Sequence, residues 1–279
     1  MKKSNMYENT RTYNPFVGCG FGCVYCKPSF QRQLKRVAGR LGCSACARYW
    51  PHKHFERMGK IPSAPTVFVV GTGDIRFSPT SYVWAIFGSI DNHKPRMKKQ
   101  YYFQSKNPLC FKQYMKWFKL NQEKVMLLTT LETNRDEGYD KISRAPPPTQ
   151  RFKDFYDLDY GRKVVTIEPV LDFDLAPFVD MILQLHAQGS LEYVWFGFDS
   201  KNCGLPEPSE EKAQVFVDCL QDNGIEVRGK TLRGVKIRVK LCPDCGNELV
   251  SGRVRKQPNQ YSASRWKRVY VCTNCGEVK

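Results

Sequence analysis

The apolar residues of this chain fall into short runs separated by polar and turn-forming segments. Five runs, at 66–70, 101–103, 125–128, 164–167 and 193–196, are β-branched or aromatic and bounded by turn or polar residues. That pattern predicts buried strands. Stretches with helical spacing alternate with them. Over 28–41, Phe30, Leu34, Val37 and Leu41 share one face, while Arg32, Lys35, Arg36 and Arg40 fall mostly elsewhere. Over 209–223, Ala213, Phe216, Val217 and Leu220 form the apolar stripe. Ser209 is placed to cap that helix and Gly224 to end it. A first strand near 12–17 and another at 225–227 extend the series. Alternating strands and helices predict a parallel sheet with helices outside. About six such units before residue 225 predict an α/β fold, an open, partial (β/α)6 TIM-like barrel. Ligands of such folds bind at the carboxyl ends of the strands. The run 146–148, three prolines, reads as a stiff loop, and no internal repeat is evident.

With 279 residues, 41% hydrophobic and 13% aromatic, the chain can bury a sizeable core. That length suits one barrel plus an appendage. No apolar run approaches the roughly 18 residues that span a membrane. The start, Met1 to Asn5, is basic but no apolar stretch follows it, so the chain reads as cytoplasmic, without a secretory signal or a membrane partner. The formal net charge of +17 is segregated. Residues 1–60 carry 12 Lys and Arg against 2 Asp and Glu, and residues 230–279 carry 12 against 3. Residues 61–229 carry 20 against 22. Two basic ends around a near-neutral middle point to a polyanionic partner, most simply RNA or DNA. The plain alternative is a solvated surface. Two domains are expected, 1–229 with a basic insertion at about 40–60, and 230–279.

Nine of the twelve cysteines lie in metal-type groups, and only Cys110, Cys203 and Cys219 stand alone. In a reducing compartment such groups are ligands more often than disulfides. The first group, Cys19, Cys23 and Cys26, has C-x3-C-x2-C spacing, with Gly18, Gly20 and Gly22 interleaved and Tyr25 before the last cysteine. Cysteine thiolates are the usual ligands of iron–sulfur clusters, and three local thiolates leave one iron of a 4Fe-4S cubane open. The alternative is a zinc or free-thiol cluster, but zinc prefers four ligands, and no fourth partner lies nearby in sequence.

This run, from Thr12 through Cys26, resembles the radical S-adenosylmethionine superfamily, in the branch of spore photoproduct lyase-like proteins. Two later segments, Lys163 to Leu171 with Glu168-Pro169 at their centre and Thr130-Leu131-Glu132-Thr133-Asn134, are similar to a phage-associated radical-SAM-like family. The resemblance covers roughly residues 11–229 and implies the partial barrel. It implies that Cys19, Cys23 and Cys26 hold a 4Fe-4S cluster whose open iron binds the amino and carboxylate groups of S-adenosylmethionine. One electron, from a donor such as flavodoxin or ferredoxin, would cleave the sulfonium to a 5′-deoxyadenosyl radical that abstracts hydrogen from substrate. Tyr25 would pack near the adenine. The superfamily recognises the cofactor's amino group with a glycine-rich loop after the second strand. Gly71-Thr72-Gly73-Asp74 stands there but departs from the usual form, which ends in glutamate. Asp74 could accept from the ammonium, or simply cap a turn. Further strand-end residues are Ser105 and Lys106 (cofactor carboxylate or a substrate phosphate), Thr130 and Glu132 (ribose), Glu168 (ribose or substrate), and Asp199 and Ser200. For each, a solvated polar residue is the competing reading.

Two other groups suggest metal. Cys242-x2-Cys245-Gly and Cys272-x2-Cys275-Gly, with 26 residues between Cys245 and Cys272, read as a zinc ribbon, with an auxiliary iron–sulfur cluster as the alternative. Fifty residues bury little core, so the metal would supply folding energy. Its hairpin holds Arg253, Arg255, Lys256, Arg265, Trp266, Lys267 and Arg268. Cations interleaved with aromatics can contact phosphates and stack on bases, or the aromatics can cover the small core. Cys43, Cys46, His52 and His54 could complete a four-ligand zinc site in the basic insertion. The function expected is a radical enzyme that modifies or repairs nucleic acid. The rivals are one acting on a peptide or protein, and a non-catalytic iron–sulfur protein that binds nucleic acid.

Overall fold

A strand covered on both faces needs apolar residues at nearly every position. Val125–Thr130, Lys163–Ile167 and Leu191–Phe196 meet that demand and are buried throughout. They form the middle of one parallel sheet. The protein was analysed as a computed structural model, which describes residues 10–95, 97–239, 242, 245, 249–255 and 266–272. In chain order the elements are β1 (Thr10–Tyr13), β2 (Phe16–Val17), α1 (Arg32–Leu41), α2 (Ser44–Arg48), β3 (His52–Lys53), β4 (Thr66–Val69), α3 (Thr80–Asp91) and β5 (Gln100–Gln104). There follow α4 (Met115–Leu120), β6 (Val125–Thr130), α5 (Pro148–Tyr156), β7 (Lys163–Ile167), α6 (Leu175–Ala187), β8 (Leu191–Phe196), α7 (Glu210–Asp222) and β9 (Val227–Gly229). An antiparallel pair, β10 (Leu249–Arg255) and β11 (Trp266–Cys272), comes last.

The sheet order is β1-β4-β5-β6-β7-β8-β9. Every neighbouring pair is parallel. The sheet curls into a half-barrel, open between β1 and β9, with helices outside. Alternation along each strand divides its side chains. Val67, Val69, Phe103, Leu127, Ile167 and Phe196 join the core under the helices. Phe68, Tyr102, Met126, Leu128, Val164, Tyr193 and Trp195 form a separate cluster on the opposite, concave face. Under α3 and α4 an aromatic cluster fills the space, with Phe87 stacked on Trp117 at 3.9 Å.

The half-barrel agrees with the expected fold class, and three local departures have physical causes. The first strand stops at Tyr13, because Pro15 has no N–H to continue a ladder. Residues 16–17 instead pair antiparallel with β3, Val17 opposite His52. The last strand begins at Val227 rather than 225, because residues 224–225 close α7. Gly224 takes φ +76°, and the Ile225 N–H reaches back to the Leu220 carbonyl at 3.0 Å. Pro148 is the first residue of α5 rather than part of a loop, a position where its missing N–H costs nothing. Helix α7 matches its expectation: Ala213, Phe216, Val217 and Leu220 are buried, and Ser209 accepts the Lys212 N–H. Among the described residues no helix is long and apolar enough to cross a membrane.

One buried charge lies away from the mouth of the barrel. Lys163, at the start of β7, is 1% exposed, and its Nζ donates to the Tyr156 carbonyl at 3.1 Å. Burial pulls its pKa down from 10.5 to about 8. A lysine whose folded pKa is depressed destabilises the fold below about pH 8, and the penalty fades as pH rises toward 10.5. Lys163→Met keeps the volume and removes the charge. It is expected to raise stability at pH 7 by about 1–3 kcal/mol, with the gain shrinking between about pH 8 and 10.5. A chemical-denaturation series against pH checks this, and a loss of stability at pH 7 would count against it.

Candidate active site

The cysteine loop is stitched to the neighbouring strand end by backbone alone. Because β1 and β4 are parallel neighbours, the loops that follow them lie side by side. Gly18 and Gly73 form an isolated parallel bridge. The Gly18 N–H donates to the Thr72 carbonyl at 3.2 Å, and the Asp74 N–H to the Gly18 carbonyl at 3.3 Å. Gly18 takes φ +93°, and a Cβ there would fall 2.1 Å from the Trp50 carbonyl oxygen. Only glycine fits.

Beyond this anchor, Cys19, Cys23 and Cys26 all line one cavity of about 270 Å³ at the carboxyl ends of the strands. The Phe21 N–H reaches Cys19 Sγ at 3.5 Å, and Ser143 Oγ meets Cys23 Sγ at 3.1 Å. Burial pushes the Cys19 thiol well above its ordinary range. The hydrogen bond between Cys23 and Cys26 lowers the Cys23 thiol and raises that of Cys26. Three convergent sulfurs, a glycine-rich loop and polar hydrogens aimed at sulfur suit an iron–sulfur cluster, whose thiolates are tuned by such bonds. Coordination would displace the protons that Cys19 and Cys26 otherwise retain.

Tyr25, Gly71, Gly73, Asp74, Lys106, Thr130 and Glu168 line the same cavity, together with Phe68, Phe198, Asp199 and Ser200. Thr72, Ser105 and Glu132 are not in that lining. Asp74 caps the turn after it: its carboxylate accepts from Arg76 N at 2.9 Å, Ser105 Oγ at 2.7 Å and Lys106 N at 3.0 Å. Burial lifts its pKa to about 6 against those bonds. Thus Asp74 fixes the start of the next loop and so aims Lys106.

Lys106 in turn enters a buried ionic network centred on Glu132, which is fully buried. Lys106 Nζ and Tyr25 OH both bond Glu132 Oε1 and each other. Tyr139 OH donates to the same oxygen at 2.9 Å, and Arg151 Nη2 to Oε2 at 2.8 Å. Arg151 Nη1 also bonds the Thr130 carbonyl. Burial disfavours the Glu132 charge, but Arg151 and then Lys106 outweigh it and hold the pKa at about 2. This network backs the wall behind Tyr25 and Lys106.

Above the concave apolar cluster sits a polar layer. Gln104 Nε2 donates to Thr130 Oγ1 at 2.8 Å and Thr166 Oγ1 at 3.1 Å. Opposite, Glu168 accepts from Trp195 Nε1 at 2.6 Å and pairs with Lys230 at 3.0 Å. Sequence reasoning missed Gln104, Thr166, Tyr139, Arg151 and Lys230. Gln104 and Thr166 were findable as polar ends of inward-facing strand positions. Arg151 gave no signal, since an arginine in a helix ordinarily faces water.

The two other metal-type groups also assemble. Cys43, Cys46, His52 and His54 bring their ligand atoms within 4.8 Å of one another, as do Cys242, Cys245 and Cys272. Cys245 and Cys272 sulfurs are 3.4 Å apart. Cys275, Lys256 and Arg265 lie outside the described residues. The hairpin register sets Arg253 opposite Arg268, Lys267 opposite Val254, and Arg255 opposite Trp266.

No protein-family model matches the chain, and no curated protein matches it. Among solved structures, the chain is similar to anSMEcpe with bound AdoMet and the Cp18Cys peptide, at 11% identity and a TM-score of 0.43 over 79% of this chain. It is also similar to anSMEcpe with bound AdoMet alone, at 11% identity and a TM-score of 0.44 over 79% of this chain. The chain spans 62% and 63% of the length of those two chains.

Proposed function

We propose that this chain is a radical S-adenosylmethionine enzyme acting on a nucleic acid. The observation that carries the reading is the convergence of Cys19, Cys23 and Cys26 on a cavity at the carboxyl ends of a parallel half-barrel. Cys19, Cys23 and Cys26 would hold a 4Fe-4S cluster, which would supply the electron for reductive cleavage of S-adenosylmethionine. The chain's own residues do the rest. Gln104, Thr130 and Thr166 offer donors and acceptors to a nucleoside. Phe68, Val70 and Phe198 exclude water from it. The Glu168–Lys230 pair presents both charges at the far wall, where a zwitterionic or polyhydroxylated ligand can exchange partners.

The substrate half rests on the surface around the loop. Lys27, Arg32, Lys35, Arg36, Arg48 and Lys53 are exposed on and around α1 and α2. Trp50 and Phe55 are 57% and 68% exposed beside them, with Arg48 4.6 Å from the Trp50 ring. A second groove, of about 770 Å³, is flanked by Phe21, Arg76, Phe77 and Arg144. Exposed aromatics among cations suit unpaired bases and phosphates. The C-terminal cysteines would hold zinc in a ribbon that extends this surface, and a flavodoxin or ferredoxin would supply the electron.

Anaerobic reconstitution with iron and sulfide tests the first half: about four irons per chain are expected, and almost none in Cys19→Ala/Cys23→Ala/Cys26→Ala. Equal iron in both proteins would overturn the assignment. For the substrate, affinity for single-stranded RNA or DNA should fall steeply with salt. Absence of binding at low salt would transfer the substrate to the peptide or protein class.

A further inference from the structure

Cys43, Cys46, His52 and His54 lie outside the cavity and take no part in the proposed reaction. Their arrangement is hard to account for without a cation. Cys43 Sγ is 3.3 Å from His52 Nε2. Cys46 Sγ is 3.3 Å from His52 Nε2 and 3.2 Å from His54 Nε2. The two Nε2 atoms are 2.9 Å apart. Each ring's other nitrogen is committed: His52 Nδ1 meets the Trp50 carbonyl at 2.6 Å, and His54 Nδ1 meets Glu56 Oε1 at 2.5 Å. Both oxygens only accept, so both Nδ1 atoms carry the proton. A neutral imidazole with its proton on Nδ1 turns the Nε2 lone pair inward, where a metal ion can take it. Two cysteine sulfurs and two imidazole nitrogens, the usual ligand atoms of zinc, thus face one point.

That donor set is what a tetrahedral zinc ion takes. Zinc–sulfur bonds of about 2.3 Å and zinc–nitrogen bonds of about 2.0–2.1 Å put ligand atoms about 3.3–3.8 Å apart. The observed contacts, 2.9 to 3.3 Å, lie at or just below the short end of this range. A carboxylate and a backbone carbonyl behind the two histidines are the usual outer partners that fix tautomer and ring orientation. The Cys46 N–H donates to Cys43 Sγ at 3.4 Å, completing a metal-knuckle turn that Tyr49 closes at φ +59°.

The position of the group says what the ion does. His52 pairs with Val17 across β2 and β3. The His54 N–H donates to the Pro15 carbonyl at 2.6 Å, and the Cys19 N–H to the Tyr49 carbonyl at 3.4 Å. We propose that Cys43, Cys46, His52 and His54 bind one zinc ion that clamps residues 43–54 onto β2 and thereby holds the loop bearing Cys19. This stands apart from the reading of the cavity, because it concerns the metal and the backbone and needs no activity.

The test uses the full chain with Cys242→Ser and Cys245→Ser, which removes the other zinc candidate. Adding Cys43→Ser and Cys46→Ser should lower bound zinc by about one ion per chain. It should also speed hydrogen exchange at the His54 and Cys19 amides by about tenfold or more. Unchanged zinc would overturn the site, and lost zinc with unchanged exchange would overturn the clamp. Should the quadruple variant fail to fold, His54→Cys decides. It keeps four ligands, so zinc should be retained, and on cobalt substitution the thiolate-to-metal absorption should rise. An absorption identical to that of the parent chain would exclude His54 as a ligand.

Discussion

Glu132→Ala is expected to lower the unfolding free energy by about 3–5 kcal/mol, the range for removing one partner of a buried ion pair. The loss is large because two cations depend on this carboxylate. Arg151 is fully buried and Lys106 nearly so. Without Glu132 they face each other uncompensated. Hydrophobic burial cannot offset that, since the Glu132 side chain contributes little apolar area. An exposed pair behaves differently. Arg135, 41% exposed, bridges Asp172 and Asp174, and Arg135→Ala should cost no more than about 1 kcal/mol. Proton linkage gives a second readout. The folded pKa of Glu132, about 2, lies below its ordinary 4.5. A depressed carboxylate stabilises the fold above about pH 4.5, and that stability is lost as pH falls toward 2. The shift corresponds to about 3 kcal/mol. Wild-type stability should fall through this window, and Glu132→Gln should flatten the fall. Urea midpoints at several pH values check both, and a Glu132→Ala cost near that of Arg135→Ala would contradict the network.

The second large effect is expected at Gly18. Gly18→Ala puts a methyl group 2.1 Å from the Trp50 carbonyl oxygen and 2.7 Å from Pro51 N, at φ +93°. Left-handed strain of about 1–2 kcal/mol joins overpacking of about 1–3 kcal/mol. A total of about 2–5 kcal/mol is expected, and the obstacle is backbone that cannot rotate away. Gly42 is the control: it takes φ +59° with nothing within 4 Å of an added Cβ. Gly42→Ala should therefore cost only the strain. Equal losses for the two variants would show that Gly18 is not wedged against residue 50. The variant should also bind less iron, because Cys19 follows directly and shares its backbone tether to Tyr49.

What could be read from the sequence follows from which signals are local. The central strands were legible because burial on both faces demands unbroken apolar runs, as in Val125–Thr130. Helix α7 was legible because its stripe and cap lie within one stretch. That Cys19, Cys23 and Cys26 come together was legible from their close spacing, and so was the gathering of Cys43, Cys46, His52 and His54. What was hidden depends on distant partners. Glu132 read as a ribose contact after β6, but its oxygens are taken by Lys106, 26 residues earlier, and Arg151, 19 later. No periodicity reports such a pairing. Asp74 read as a ligand for an ammonium or a cap; the structure shows the cap, supplied by Arg76 N and the loop at 105–106. Lys230, a single residue after the last strand, reaches the cavity because that strand pairs with β8 at the edge of the sheet.

In the function proposed here, Cys19, Cys23 and Cys26 make the half-barrel a catalyst for cleaving S-adenosylmethionine. The most direct measurement is anaerobic formation of 5′-deoxyadenosine from S-adenosylmethionine, by reconstituted protein with a strong reductant and single-stranded nucleic acid present. The account predicts product in the wild type and none in Cys19→Ala/Cys23→Ala/Cys26→Ala. No product from protein shown to carry its cluster and bind S-adenosylmethionine, or equal product from the triple variant, would contradict it.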